Sequence, residues 1–217
     1  MPTRYAIMKR LLTDILCVVF MLFVAACSND DDNDYPPIVT DLLVASVDAN
    51  GRVVSVRLDD GTTYNVAAQQ VESEKKDTTL RCLATYTHDG NTGLKLNSIR
   101  TIYSDTPYPV SSFYMVVNGV AYHDASLLPR SPMKVISMWK SGGYLNMHLG
   151  LMTTGYGNHQ YAFCEDSVGH YSLLHQRPMG DGGSYTEHVY MSMPLPEGQE
   201  EVTFTVKTYD GDYTRTF

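Results

Sequence analysis

The chain has 217 residues, 43% of them hydrophobic and 18% charged, a balance typical of globular proteins rather than disordered or membrane-embedded ones. Its formal net charge is −8 and it has no Lys/Arg run, so it lacks the clustered cations on which nucleic-acid and anionic-membrane binding depend. Sixteen Tyr against one Trp, many Thr and Val, and repeated Asn-Gly and Asp-Gly pairs favour strands over helices and predict an all-β protein.

Lys9 and Arg10 precede an uncharged apolar stretch over 15–26 that ends in Ala25 and Ala26, just before Cys27. A positive end, an apolar middle and a small-residue finish make residues 1–26 a signal peptide. Its apolar stretch would span about 18 Å as a helix, short of the ~30 Å hydrocarbon core, so a permanent spanning helix is the weaker reading. Met8 is an alternative start that leaves the mature chain unchanged. Val24-Ala25-Ala26-Cys27 resembles a bacterial lipobox, in which the cysteine thiol takes a diacylglyceryl group and becomes the first mature residue. Each buried methylene contributes about 0.8 kcal/mol, so several acyl chains on Cys27 would hold a domain on a bilayer. The alternative is a cysteine that happens to follow an ordinary cleavage site.

Residues 27–37 read as an acidic tether, because adjacent like charges repel and solvate well. Ser28, Asn29, Asp30, Asp31 and Asp32 resemble the surface-export signal of Bacteroidetes lipoproteins; a plain solubilising spacer is the competing reading. The expected address is the outer membrane, lipid-anchored and exposed at the cell surface.

Residues 38–104 open with alternating residues at Val44, Ser46 and Asp48, a turn at Asn50-Gly51, and a resumed pattern at Val54, Val56 and Leu58. A second turn at Asp60-Gly61 leads into Thr63 to Val66. "VAAQQVESEKKDT" lacks alternation and reads as a short helix or a long loop; "TLRCLATYTHD" and "GLKLNSIRTIYS" then supply two more strands. Three strands, an interruption and two strands match a small five-stranded barrel of the OB plan. Residues 105–132 hold four of the ten prolines and read as a linker carrying a β-hairpin at Asn118-Gly119.

From 133 to 217 seven short strands alternate with Gly-rich turns, which predicts an antiparallel β-sandwich. Val202, Phe204 and Val206 are expected in its core, with Thr203, Thr205 and Lys207 toward solvent. Cys82 and Cys164 stand in apolar strand contexts and are expected as buried thiols in separate domains, with a disulfide as the alternative.

These features together resemble the NigD-like lipoproteins of Bacteroidetes. The likeness rests on "VRLDDGTTY", "MWKSGGYLNMHLG", "LLHQRPMGD" and "YTEHVYMSMPL", with Trp139, Tyr144, Leu145, Asn146 and the stretch from His175 to Asp181 most distinctive. It implies an OB-type domain followed by a sandwich, and no defined activity.

No cofactor or metal is expected, because the seven histidines show no HxH or HExxH spacing. Nor is there a G-x-S-x-G turn, and the Gly-rich pieces join strand to strand without the helix N-terminus that a phosphate loop uses. The residues point to a non-catalytic binding or interaction module for a protein or glycan, with an envelope hydrolase as the alternative. Trp139, Tyr144, Asn146 and His148, together with His175, Asp181 and Tyr185 around the Gly-rich loop, are the candidate ligand-binding residues. Tyr144, Asn146 and His148 share one strand face by period 2 and are expected exposed, opposite Leu145, Met147 and Leu149.

Overall fold

In the computed structural model, residues 37–66, 73, 75–89, 93–118, 120–122, 127–199 and 201–217 are described. Cys27 and the acidic residues after it, and most of "VAAQQVESEKKDT", lie outside these. Among the described residues no helix is long and apolar enough to cross a membrane.

The first five strands, β1 (Val39–Val47), β2 (Val53–Leu58), β3 (Thr63–Val66), β4 (Thr78–Asp89) and β5 (Gly93–Thr101), close into a barrel in the order β1-β2-β3-β5-β4. β1 pairs along its whole length with β4, from Val39↔Tyr86 to Val47↔Thr78, and pairs with β2 on its other side. Leu43, Ala45, Val56, Cys82, Ala84, Tyr86 and Leu94 fill the interior. Asp48 builds the first turn by accepting hydrogen bonds from the N–H groups of Asn50 and Arg52, both at 2.8 Å. Gly51 follows at φ +87°, a conformation that favours glycine.

The expected alternation fails at one point. Val54 is 47% exposed whereas Val53 is buried, because a bulge shifts the β1–β2 register between Ser46 and Val47, pairing Ser46 with Ser55 and Val47 with Val53. One extra residue moves the following side chain to the other face.

Ile102 is buried and its N–H bonds to the Arg81 carbonyl, ending β5. The chain then gives one short strand to each sheet of the second module. β6 (Tyr103–Ser104) pairs in parallel with β14 (Tyr185–Pro194), and β7 (Tyr108–Pro109) with β12 (Gln160–Ser167). Thus "TIYS", read from sequence as barrel, ends as a sandwich edge, and the 105–132 segment contributes a second one. β8 (Met115–Val117) and β9 (Val120–Tyr122) form the hairpin at Asn118, whose φ is +52°.

The remaining strands are β10 (Lys134–Ser141), β11 (Tyr144–Thr153), β13 (His170–Gln176), β15 (Thr203–Thr208) and β16 (Gly211–Thr216). Two sheets result, β10-β11-β14-β6 and β16-β15-β13-β12-β7. Leu145, Met147, Leu149 and Met191 of the first face Phe163, Leu173, Phe204 and Val206 of the second, all buried. Val202, Phe204 and Val206 lie inward while Lys207 is exposed. The protein is therefore all-β, a closed barrel with a sandwich, within one compact unit over 37–217. Cys82 and Cys164 are both free and buried, one in each module.

Candidate functional site

The outer face of β11 carries two different environments. At its start, the β10–β11 turn meets the barrel. Arg81 of β4 has a side chain only 2% exposed and forks onto Asp59, with Nη1–Oδ1 at 2.5 Å and Nη2–Oδ2 at 2.9 Å. The same guanidinium donates through Nη2 to Asn146 Oδ1 at 3.0 Å and through Nε to Ser192 Oγ at 3.2 Å. Ser141 donates to Asp59 and receives from Asn146 Nδ2 at 2.8 Å. The Tyr144 ring stacks against the guanidinium, 4.3 Å from Cζ to the ring centre. Burial opposes ionisation of Asp59, but the hydrogen bonds from Arg81 and Ser141 more than offset it and hold its carboxyl below the usual range. The cluster uses the donors and acceptors of Arg81 and Asn146 to join barrel to sandwich.

Near the middle of the same face, the His148 ring stacks on Tyr190 at 4.3 Å and 11°. Its Nε2 lies 2.8 Å from His188 Nδ1. Burial first, then the neighbouring His188, lowers the His148 pKa. Among the described residues no three His, Cys, Asp or Glu side chains converge as a metal centre would require.

At the far end of β11 the sandwich opens into a recess of about 380 Å³, lined by Lys134, Met152, Thr186, Tyr209, Asp210 and Tyr213 among others. That size admits a small ligand group or one side chain of a partner. Tyr156, Tyr185, Tyr209 and Tyr213 are exposed on the neighbouring loops and strand ends. Arg177 braces one wall, its Nη2 donating to the Met152 carbonyl at 3.2 Å and lying 3.3 Å from the Tyr209 hydroxyl.

Behind that wall runs a buried line of polar groups. His175 Nδ1 lies 2.9 Å from the Ser131 carbonyl, His175 Nε2 lies 2.9 Å from His159 Nδ1, and His159 Nε2 lies 3.0 Å from Asp181 Oδ2. Asp181 fastens the 177–184 loop to the end of β11, accepting from Thr154 N–H at 2.6 Å and the Thr154 hydroxyl at 2.8 Å. Desolvation opposes its charge, but the hydrogen bonds from Thr154, Gly183 and Thr153 hold its carboxyl far below the usual range. Burial pushes His175 down to about 4. Tyr161 stacks on both rings.

The seven residues singled out by sequence fall in different places. Tyr144 and Asn146 belong to the junction with the barrel; Trp139 stands opposite Asn146 in register, and His148 lies mid-face. His175, Asp181 and Tyr185 lie at the far end, Tyr185 pairing with Thr153. Nine residues of strand separate Tyr144 from Thr153, about 30 Å, so the two groups form no common site. The period-2 division of β11 holds, yet Asn146 is fully buried and His175 and Asp181 nearly so, because each is enclosed by the hydrogen bonds just described. Of the seven, Tyr185 is the exposed one at the rim.

Tyr209, Tyr213, Arg177 and His159 were not singled out by sequence. Tyr209 and Tyr213 flank the Asp210-Gly211 turn, and aromatics on both sides of a tight turn at a sandwich end are the signal that could have found them.

No known family profile matches the sequence, and no curated protein does. Solved structures do share its architecture. A NigD-like immunity protein from Bacteroides caccae aligns with TM-score 0.60 at 21% identity, over 84% of this chain and 93% of its own. A protein from Parabacteroides distasonis described as toxin-related gives 0.64 at 19%, over 83% and 92%. A protein from Bacteroides fragilis described as a lipoprotein gives 0.53 at 10%, over 84% and 97%. At these identities the likeness is one of fold, and it is the barrel-and-sandwich fold that the NigD-like resemblance implied.

Proposed function

We propose, from that shared NigD-like architecture, that the protein is a lipid-anchored envelope module which binds a protein or glycan partner through the barrel-distal rim of its sandwich and catalyses no reaction. The carrying observation is the recess of about 380 Å³ bordered by exposed Tyr209 and Tyr213. Tyrosine offers an apolar ring and a hydroxyl on a side chain with few rotors, a combination suited to contact with either kind of partner. The supporting elements are strand ends rather than long loops, so ordering the surface on binding costs little.

Anchorage at Cys27 is supported by the lipobox-like sequence and by a fold neighbour described as a lipoprotein. Surface exposure is supported by the acidic residues Asp30 to Asp32. The absence of catalysis is supported by the state of the histidine cluster: the His159 and His175 rings hydrogen-bond to each other, His175 also contacts a backbone carbonyl, and His159 stands 3.0 Å from the Asp181 carboxylate. Neither ring of this pair is directed at a nucleophile among the described residues.

Crosslinking capture from intact cells tests the rim. Wild-type protein should retain a partner that Tyr209→Ala with Tyr213→Ala loses by about tenfold or more, as truncating aromatic anchors does at interfaces, while thermal stability stays close to wild type. Undiminished capture by the double variant would remove the rim from consideration.

A further inference from the structure

In the β11–β14 register His148 stands opposite Tyr190, and His188 stands opposite Gly150. The two histidines are therefore diagonal neighbours on one sheet face, close enough for long side chains to meet. Gly150 offers His188 no side chain directly across the ladder, and the ring reaches along the sheet to His148 instead. The ring centres lie 5.0 Å apart, and His148 Nε2 is 2.8 Å from His188 Nδ1. Between two neutral rings, one of these nitrogens donates a proton and the other accepts it. His148 is half-buried and His188 exposed, so the contact is open to solvent on the His188 side. Neither ring belongs to the barrel junction or to the far-end rim.

We propose that His148 and His188 form a two-imidazole chelate for a divalent late transition-metal ion, copper(II) ahead of nickel(II), with water completing the coordination. Imidazole nitrogen suits both ions, and copper binds the more tightly of the two at a given set of ligands. At metal–nitrogen distances of about 2.0–2.1 Å, nitrogens 2.8 Å apart subtend an angle of about 85–90° at the ion. That is the angle between adjacent positions of a tetragonal or octahedral shell. A tetrahedral ion such as zinc would need the same nitrogens opened to about 3.3 Å. The ion takes the place of the proton between the rings: each imidazole keeps its single N–H on the other nitrogen, His148 Nδ1 and His188 Nε2. No proton leaves the pair, so neutral rings bind the ion without a counter-reaction.

The two ligands have different parts. His148 is the fixed one, its ring stacked on Tyr190 at 4.3 Å and 11°, and burial and then His188 favour its neutral, lone-pair-bearing form. His188, tilted 44° to it and exposed, is the arm that turns its lone pair onto the ion. Ordering one side chain instead of two lowers the cost of binding. Among the described residues no third His, Cys, Asp or Glu converges on the pair, and Glu187, next to His188 in β14, projects to the other face by period 2. Two protein ligands with open water positions make an exchangeable surface site, unlike the closed four-ligand shell of a structural metal. The site stands on this geometry alone and is independent of the function proposed above.

Copper(II) titration of the full-length protein in detergent tests this, at about pH 7.5 where free imidazole is mostly neutral. One equivalent of copper(II) chloride should give an electron paramagnetic resonance signal split by two ring nitrogens. His148→Ala and His188→Ala should each reduce this to one nitrogen and weaken copper binding by about a hundredfold, the order contributed by a second ligand already held in place. His170→Ala, which removes an exposed histidine of the other sheet, should change neither reading. In the wild type, paramagnetic broadening should reach the Tyr190 ring, stacked on His148, before any other tyrosine; this second reading needs no variant. A wild-type signal with one nitrogen or none, a loss below about tenfold in either pair variant, or first broadening at another tyrosine overturns the proposal. Because the measurement involves no partner, its failure leaves the proposed rim untouched.

Discussion

Arg81 Nη2 lies 3.0 Å from Asn146 Oδ1, so a barrel arginine ends on an amide of the sandwich, in a cluster where Asp59 supplies the countercharge. Removing one partner from a buried ion pair leaves the other desolvated and uncompensated, at a cost of about 3–5 kcal/mol. Arg81→Ala should lose that much in urea denaturation, and the loss should depend on Asp59 and Asn146 when measured by double-mutant cycles. Since Asp59 titrates below its ordinary value, its contribution is complete above about pH 4 and declines as the solution is made more acidic.

Gly142 faces the same cluster with φ +59°, and a Cβ there would fall on the Asp59 carboxylate and 2.9 Å from Asp59 Cα. Gly142→Ala should destabilise by about 1–2 kcal/mol from the left-handed backbone alone, and further by displacing Asp59 from Arg81. Gly143, with φ +81° and no atom near its absent Cβ, should show the backbone part only. Comparing the two urea midpoints separates the effects.

His175 makes stability depend on pH through its burial. Its folded value of about 4 lies below the unfolded value of about 6.5, so its stabilising effect is full above pH 6.5 and is lost as pH falls toward 4. The urea midpoint should drop between pH 7 and pH 4.5. His175→Asn keeps a donor near Ser131 without a titrating ring, and should flatten that limb while lowering stability at pH 7.

Acylation can be read directly. Cys27→Ala should abolish lipid labelling and release the protein from the membrane fraction of its host. Persistence of either would refute the lipid anchor. Replacing Asp30, Asp31 and Asp32 with Ala should turn a protease-accessible protein on intact cells into a protected one.

Much of this architecture is legible in the chain because it is written in local period. The alternation across Leu145, Met147 and Leu149, and the Asn50-Gly51, Asp60-Gly61 and Asp210-Gly211 turns, place strands and hairpins by neighbours a few residues apart. What escapes is set by distant partners. Asn146 has the right face by period 2, but period cannot reveal that a barrel residue 65 positions earlier covers it. Arg81 in the apolar run "TLRCLATY" is a visible anomaly, since a charge within a buried strand needs a partner, yet nothing nearby identifies Asp59 as that partner. The bulge that buries Val53 in place of Val54 also depends on the opposing strand. His159 and Asp181 lie 22 residues apart in separate loops, and their ion contact is a product of the folded sandwich.

The first described strand is laced on both sides, to β2 and along its full length to β4, in a barrel with no free margin. A pull on the chain from the N-terminal side of Val39, directed along the strand, therefore loads both ladders in shear, with many hydrogen bonds sharing the force. A peeling geometry would break them one after another. Mechanical resistance is thus built into the entry point of the fold, and single-molecule stretching from that end should meet its main force peak at the barrel.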